Sequence, residues 1–374
     1  MLQRGIPRAN TGAALHRSCH DRFHRWNQHR NGPTNQSRAE LPGFRDVLVT
    51  IMPMLSEFEL ISRYFTRPSA PDSRAALGVG DDCALLTPAP GMQLAVSTDM
   101  LVEGRHFFPH ADPYALGHKC LAVNLSDLAA MGAQPIAFTL AFALPEARED
   151  WLEPFARGLL KLADEHGCEL IGGDTTKGPL NISITVFGEI PYTQALRRDA
   201  ARDGDDIWIS GTLGDARLAL AAYRHELTLD SASHHAAAQR MHQPAPRVAL
   251  GMALREIAHA AIDISDGLAG DLGHILTRSR VGARLDVDAL PPGAVLKQQA
   301  QELRRRFTLS GGDDYELCFT APASRREQVL AAAEKAGTDI TRVGVIEAMP
   351  GLRLLDTGGE PLDLALTSFD HFTS

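Results

Sequence analysis

The chain has 374 residues, enough for about two domains, and its 44% hydrophobic and 22% charged residues give the balance of an ordinary globular protein. The net charge is −9, and because residues 1–53 hold eight Arg against three acids (+5), the remainder stands near −14, which argues against nucleic acid or a membrane surface as a partner. The longest nearly apolar run, 135–144, is too short to cross a bilayer, and the five cysteines form no Cys-x-x-Cys pair and read as reduced thiols of a cytoplasmic protein.

Residues 1–53 are rich in Arg, His, Asn and Gln without sustained periodicity, and read as a disordered extension or as sequence ahead of a natural start at Met54; a targeting segment is the alternative. From Ser56 the pattern changes. Ser56 with Glu59 spells a capping box, and Phe58, Ile61, Tyr64 and Phe65 carry a helix to about residue 66. Residues 94–99 read as a strand with a polar tip at Ser97-Thr98-Asp99. Asp112-Pro113 starts a helix that runs to about Met131 and stops at Gly132. It has two apolar faces, and Asp127 falls within one of them, where a lone carboxylate needs a partner or a metal; backbone hydrogen bonding of a core Asp is the competing account.

Further on, 138–144 reads as a strand, 151–165 as a helix, and 168–171 as a short strand feeding Gly172-Gly173-Asp174-Thr175-Thr176, which reads as a segment facing phosphate and metal or as a common turn. A strand follows at 181–190, where the first domain, 54–192, closes; the second, 193–374, holds strand 207–209, helix 215–223, a loosely patterned stretch at 228–243, helix 246–259, strand 261–267, helix 268–277 and a strand at 342–346. Leu196-Arg197-Arg198 reads equally well as a phosphate contact or a solvated turn. His106 has nothing local to separate a chemical role from a structural one.

One motif recurs. Gly78-Val79-Gly80-Asp81-Asp82 is echoed by Ser97-Thr98-Asp99, Ser126-Asp127, Gly172-Gly173-Asp174, Asp263-Ile264-Ser265-Asp266-Gly267 and Gly311-Gly312-Asp313-Asp314. Oxygen side chains set among glycines suit Mg²⁺, which bridges carboxylates to substrate phosphates while keeping several waters, and glycines let backbone N–H groups face a phosphate. The phosphate-binding loop Gly-x-x-x-x-Gly-Lys-Ser/Thr, the protein-kinase signatures, Gly-x-Ser-x-Gly and His-Glu-x-x-His are all missing. The residues alone therefore point to convergence on one site, in a Mg²⁺-dependent enzyme acting on a nucleotide or phosphorylated substrate.

Seven ordered motifs make the likeness specific: residues 78–84, 97–99, 104–107, 122–133, 171–176, 262–268 and 311–317. Together they resemble the thiamine-monophosphate kinase family of the aminoimidazole-ribonucleotide synthetase-like superfamily, across about residues 54–374. The resemblance implies an α/β (α+β) two-domain fold with N-terminal sheets pairing across a homodimer, and ATP-dependent, Mg²⁺-assisted transfer of a phosphoryl group to thiamine monophosphate, directly and in line. It implies Asp82, Ser97, Thr98, Asp99, Asp127, Asp174, Asp263 and Asp266 as ligands of several Mg²⁺ ions. Gly173, Asp174, Arg198 and Ser265 are implied ATP contacts, and His106, Asp313 and Phe369 contacts of the thiamine phosphate. An aromatic ring at 369 suits a substrate with a cationic ring. Asp313 and Phe369 depart from the Glu and Tyr found in some relatives. Sibling activities fit less well: an early reactive Cys near a Lys, needed for selenophosphate synthesis, is missing, and the chain ends in Ser374 and not in the Cys of the hydrogenase-maturation dehydratase. A nucleotide-binding regulator is a rival from another class.

Overall fold

In the computed structural model of the protein the described residues are 56–364; the expected extension at 1–53 and Phe369 lie outside them. The chain opens with α1 (Glu57–Leu60), which passes into a π-helical turn at Ile61–Phe65. The capping box forms: the Glu59 N–H donates to Ser56 Oγ, and the Ser56 N–H donates to the Glu59 carboxylate. Short strands β1 (Ala75–Leu77) and β2 (Leu85–Leu86) then pair antiparallel and bracket the Gly-Asp-Asp loop.

The first sheet comprises β3 (Met92–Val102), β4 (Gln134–Leu144), β5 (Glu169–Lys177) and β6 (Asn181–Pro191), with α2 (Pro113–Ala130) and α3 (Glu149–Glu165) in its connections. Its order is β3-β6-β4-β5, and only β4 and β5 run parallel. Of the two readings of 172–176 the common turn does not form: those residues are extended strand and pair one by one with β4. Gly173 lies so close to its neighbour that a Cβ there would sit 1.8 Å from the Leu140 carbonyl oxygen. That glycine serves close strand approach as well as any ligand.

The second sheet is built from β7 (Asp205–Ser210), β8 (Ala260–Asp263), β9 (Gly282–Asp286), β10 (Leu317–Pro322), β11 (Ile340–Glu347) and β12 (Gly351–Leu355), in the order β12-β9-β11-β7-β10-β8. All its pairings are antiparallel except β12 with β9. Around it pack α4 (Asp215–Tyr223), α5 (Ser231–His242), α6 (Val248–Ala253), α7 (Leu268–Ser279), α8 (Gln301–Ser310) and α9 (Arg326–Lys335). Two expectations change here. The loosely patterned stretch 228–243 contains α5, started by Asp230, whose carboxylate accepts from the N–H groups of Ala232 and Ser233. The helix expected over 246–259 shrinks to α6, and Glu256 beyond it takes a left-handed backbone (φ 62°) that no regular helix admits.

The helix α2 holds the two layers together. Its Leu121, Leu125 and Leu128 are fully buried in a core shared with Ile182, Ile184 and Val186 of the first sheet and with Trp208, Ala261, Leu317 and Phe319 of the second. Strand alternation sends Ile207, Ile209, Ile262 and Cys318 to the opposite face, against Leu268, Leu272 and Ile275 of α7. Two glycines let α2 and α3 cross closely: a Cβ on Gly117 would meet the Phe155 carbonyl oxygen at 2.1 Å, and one on Gly158 the Tyr114 carbonyl oxygen at 2.0 Å. Tight crossing fixes α2 in rotation, and with it whatever its open face presents.

Candidate active site

That open face lines a cavity of about 1300 Å³, bounded also by the end of β3, the 104–112 loop, α4, and the 263–266 and 310–315 segments. Lys119, Val123 and Asp127 recur every fourth residue along α2 and all reach the cavity, as helical periodicity requires.

One end is acidic. Asp127 on α2, Asp99 on β3, and Asp263 and Asp266 at the end of β8 line it together. Ser97 and Asp99 share the β3 face turned to α2: Ser97 Oγ donates to Asp127 Oδ2 at 2.5 Å, and the Asp99 N–H donates to Asn124 Oδ1 at 3.1 Å. Ser126 Oγ donates to Asp263 Oδ2 at 2.8 Å. Burial, and then the charges of Asp127 and Asp266, push the Asp99 carboxyl up to about 6. Burial and then Asp127 push Asp263 up as well. Asp127 is raised by burial, against the Ser97 hydrogen bond and the charge of Arg198.

Nearer the middle stands an ion pair. Lys119, only 4% exposed, places Nζ 3.0 Å from Asp313 Oδ1, and the Tyr315 hydroxyl donates to the same oxygen at 3.3 Å. Asp313 and Tyr315 both hold left-handed backbone angles (φ 68° and 50°), a cost of order 1–3 kcal/mol each that the surroundings must impose. Those surroundings are rigid. The neighbouring Asp314 accepts from the Gly214 N–H with both oxygens at 2.9 Å, and Glu316 is locked by Ser210, Arg240 and Arg247. The far end is aromatic and basic, with Phe108, Phe307, Arg217 and Arg306; both guanidinium groups lie over the Phe307 ring, at 4.7 and 5.1 Å.

The cavity thus gathers Asp99, Asp127, Asp263, Ser265, Asp266, His106 and Asp313 from the expected set. Thr98 touches its edge, but its hydroxyl pairs with that of Thr185 at 2.8 Å on the sheet's other side. Arg198 is outside the lining yet within charge range of Asp127 and Asp263. Asp82, on the loop between β1 and β2, and Asp174, on the edge strand β5, are exposed and lie away from the cavity lining. Gly78 and β5 are neighbours through Ile171, so these two acids belong to adjoining segments. Convergence of all six segments on one point is therefore not what the structure shows: four reach the cavity and two meet at the β5 edge.

Residue patterns passed over Lys119, which looks like an ordinary polar position of a helix, and Asp271. Asp271 Oδ2 accepts from the N–H groups of Ser265, Asp266 and Gly267, each at 3.1 Å, and so shapes the turn that carries the Ser265 and Asp266 side chains. Burial, and then Asp266, raise its carboxyl to about 7. An Asp four residues after the motif, in the first turn of a helix, was the available signal.

The donors at the acidic end are all hard oxygens, which fits Mg²⁺. Among the described residues no three His, Cys, Asp or Glu side chains close on a single point. An ion held here would complete its shell with waters and phosphate oxygens, which is how Mg²⁺ usually binds beside a nucleotide.

The fold and site define a two-part AIR synthase related protein: residues 80–190 match the N-terminal domain of that family and 202–356 its C-terminal domain. The thiamine-monophosphate kinase of Salmonella typhimurium is 46% identical over 321 residues, 85% of this chain and 98% of that protein. The crystal structure of thiamine-monophosphate kinase from Stenotrophomonas maltophilia K279a superposes with a TM-score of 0.73 at 47% identity, over 78% of this chain and 93% of that one. AaThiL complexed with AMPPCP and TMP gives a TM-score of 0.65 at 30% identity, over 76% and 89%. The chain belongs to the thiamine-monophosphate kinase family.

Proposed function

We propose that the cavity transfers the γ-phosphoryl group of ATP to thiamine monophosphate, giving ADP and thiamine diphosphate. The observation that carries this reading is one cavity of about 1300 Å³ whose lining combines the oxygen side chains of Asp99, Asp127, Asp263 and Asp266 with the aromatic rings of Phe108 and Phe307, which share one cluster. That is more room than one drug-sized ligand takes, and the two groups suit a metal-bound triphosphate and a ringed acceptor. The AaThiL complex, which holds AMPPCP and TMP together, supports it.

Asp99, Asp127, Asp263 and Asp266, with Ser97, would hold Mg²⁺ at the acidic end, where Thr98, its hydroxyl turned to the sheet's other side, would serve only through its backbone carbonyl, and Ser265 and Arg198 would meet the nucleotide. Asp82, Gly173 and Asp174 stay candidates for metal and nucleotide on the family likeness, from the adjoining β5 edge. Bound Mg²⁺ would offset phosphate charge and align the γ-phosphate. His106, Asp313 and Phe369 would orient the acceptor. An acceptor phosphate oxygen, ionised at neutral pH, attacks the γ-phosphorus as the bond to the bridging oxygen of ADP breaks. No side chain need take a proton, so the residues work by positioning. Purified protein with ATP and Mg²⁺ is expected to release ADP only when thiamine monophosphate is added; equal ADP release without it would contradict the reading.

We extend the proposal to a cytoplasmic homodimer with a division near residue 192, without nucleic-acid or membrane partners. No helix among the described residues is long and apolar enough to span a membrane, and the described cysteines are free. The β3 face opposite α2 exposes Leu94, Val96 and Met100 in alternation, Val96 being 57% exposed. Such a row on a sheet is an interaction surface. Val96→Glu is expected to convert the dimer to monomer in sedimentation velocity; a dimer of unchanged affinity would place the interface elsewhere.

A further inference from the structure

Along α2 the cavity has an order. Asp127 stands at the acidic end, and Lys119, eight residues earlier on the same face, lies about 12 Å away along the helix axis. Several cations border the cavity, but Arg105, Arg224 and Arg306 are exposed, Arg217 is partly buried and paired with Glu226, and Lys119 alone is fully buried. A buried ammonium is costly unless paired, and its partner here, Asp313, is a third exposed and is held in a left-handed backbone conformation. The partner is thus solvated on one side and stands on the cavity wall, where a stronger anion can displace it.

We infer that the Lys119 ammonium binds the phosphate of the acceptor, taking it in exchange for the Asp313 carboxylate. This rests on the reading that the acceptor is thiamine monophosphate. An acceptor phosphate must enter a cavity that already carries Asp99, Asp127, Asp263, Asp266 and Asp313. Lys119 supplies a fixed positive charge between the acidic end and the aromatic end, where the attacking group of a ringed phosphate would lie. Release from Lys119 leaves the Asp313 carboxylate able to face the cationic ring of the acceptor.

The test compares binding of thiamine monophosphate with that of unphosphorylated thiamine, by titration calorimetry with Mg²⁺ and a non-hydrolysable ATP analogue present. The ratio of the two affinities isolates the phosphate contact. Lys119→Met is expected to reduce the ratio about 10–100-fold, the range for losing one charge-assisted hydrogen bond, with affinity for the ATP analogue unchanged. A purely structural lysine would weaken both ligands alike and leave the ratio as it was, which would overturn the inference. Should Lys119→Met fail to fold, Asp313→Asn answers the same question. Freeing Lys119 from its competing carboxylate should widen the ratio, and an unchanged or narrower ratio would overturn the exchange. Wild-type protein that forms no ADP with thiamine monophosphate would defeat the proposed function itself, a failure distinct from an unchanged ratio in an active enzyme.

Discussion

Asp127→Asn is expected to lower kcat about 10²–10³-fold, the loss seen when one preorganised electrostatic contact to a reacting group is removed. The substitution keeps the shape, and an amide oxygen at 127 can still accept from Ser97 Oγ. It removes a charge that burial already penalises and that also burdens Asp263. Thermal stability of the ligand-free protein should therefore hold or rise. Loss of turnover together with equal or higher stability is the signature of a residue kept for chemistry. Steady-state kinetics and a melting curve read both, and near-normal turnover would remove the acidic end from the reaction centre.

Glu316→Ala is expected to cost about 3 kcal/mol of stability in urea unfolding, the lower part of the range for breaking a buried ion pair. Glu316 is fully buried and accepts from Ser210 Oγ at 2.6 Å, from Arg240 at 2.8 Å and from Arg247 Nε at 2.6 Å. Its two arginines are about a quarter exposed, so water relieves part of their loss and the upper part of the range is not reached. The cluster joins the end of β7, α5 and the segment before α6 to the start of β10, three residues beyond Asp313. Activity should fall along with stability, because the strained backbone at Asp313 and Tyr315 is held from this side. A change under about 1 kcal/mol would mean that the arginines find other partners.

Much of the site was legible because its residues sit where local pattern is strong. Asp127 is marked by lying inside an apolar helix face, Asp99 by standing where an apolar run turns polar, although β3 runs on to Val102 and the expected strand tip is internal, and Asp263 and Asp266 by joining a short apolar strand to a helix. Other features needed three dimensions. Glycines in Gly172-Gly173-Asp174 suggest a turn, yet Gly173 is extended because β4 presses against it. No pattern says which side of a sheet an exposed acid will face, so Asp82 and Asp174 could not be separated from the cavity residues. Lys119 carries no local mark at all. Its meaning comes from Asp313, 194 positions away in the chain and 3.0 Å away in space. The α5 helix was hidden by its histidines and weak amphipathicity, although Asp230 supplied its cap.

The most direct test follows the label from ATP carrying a marked γ-phosphorus, incubated with the protein, Mg²⁺ and thiamine monophosphate. The account predicts one labelled thiamine diphosphate for each ADP, with the label in the terminal phosphate of the product. Label released as inorganic phosphate, with no thiamine diphosphate formed, would contradict it.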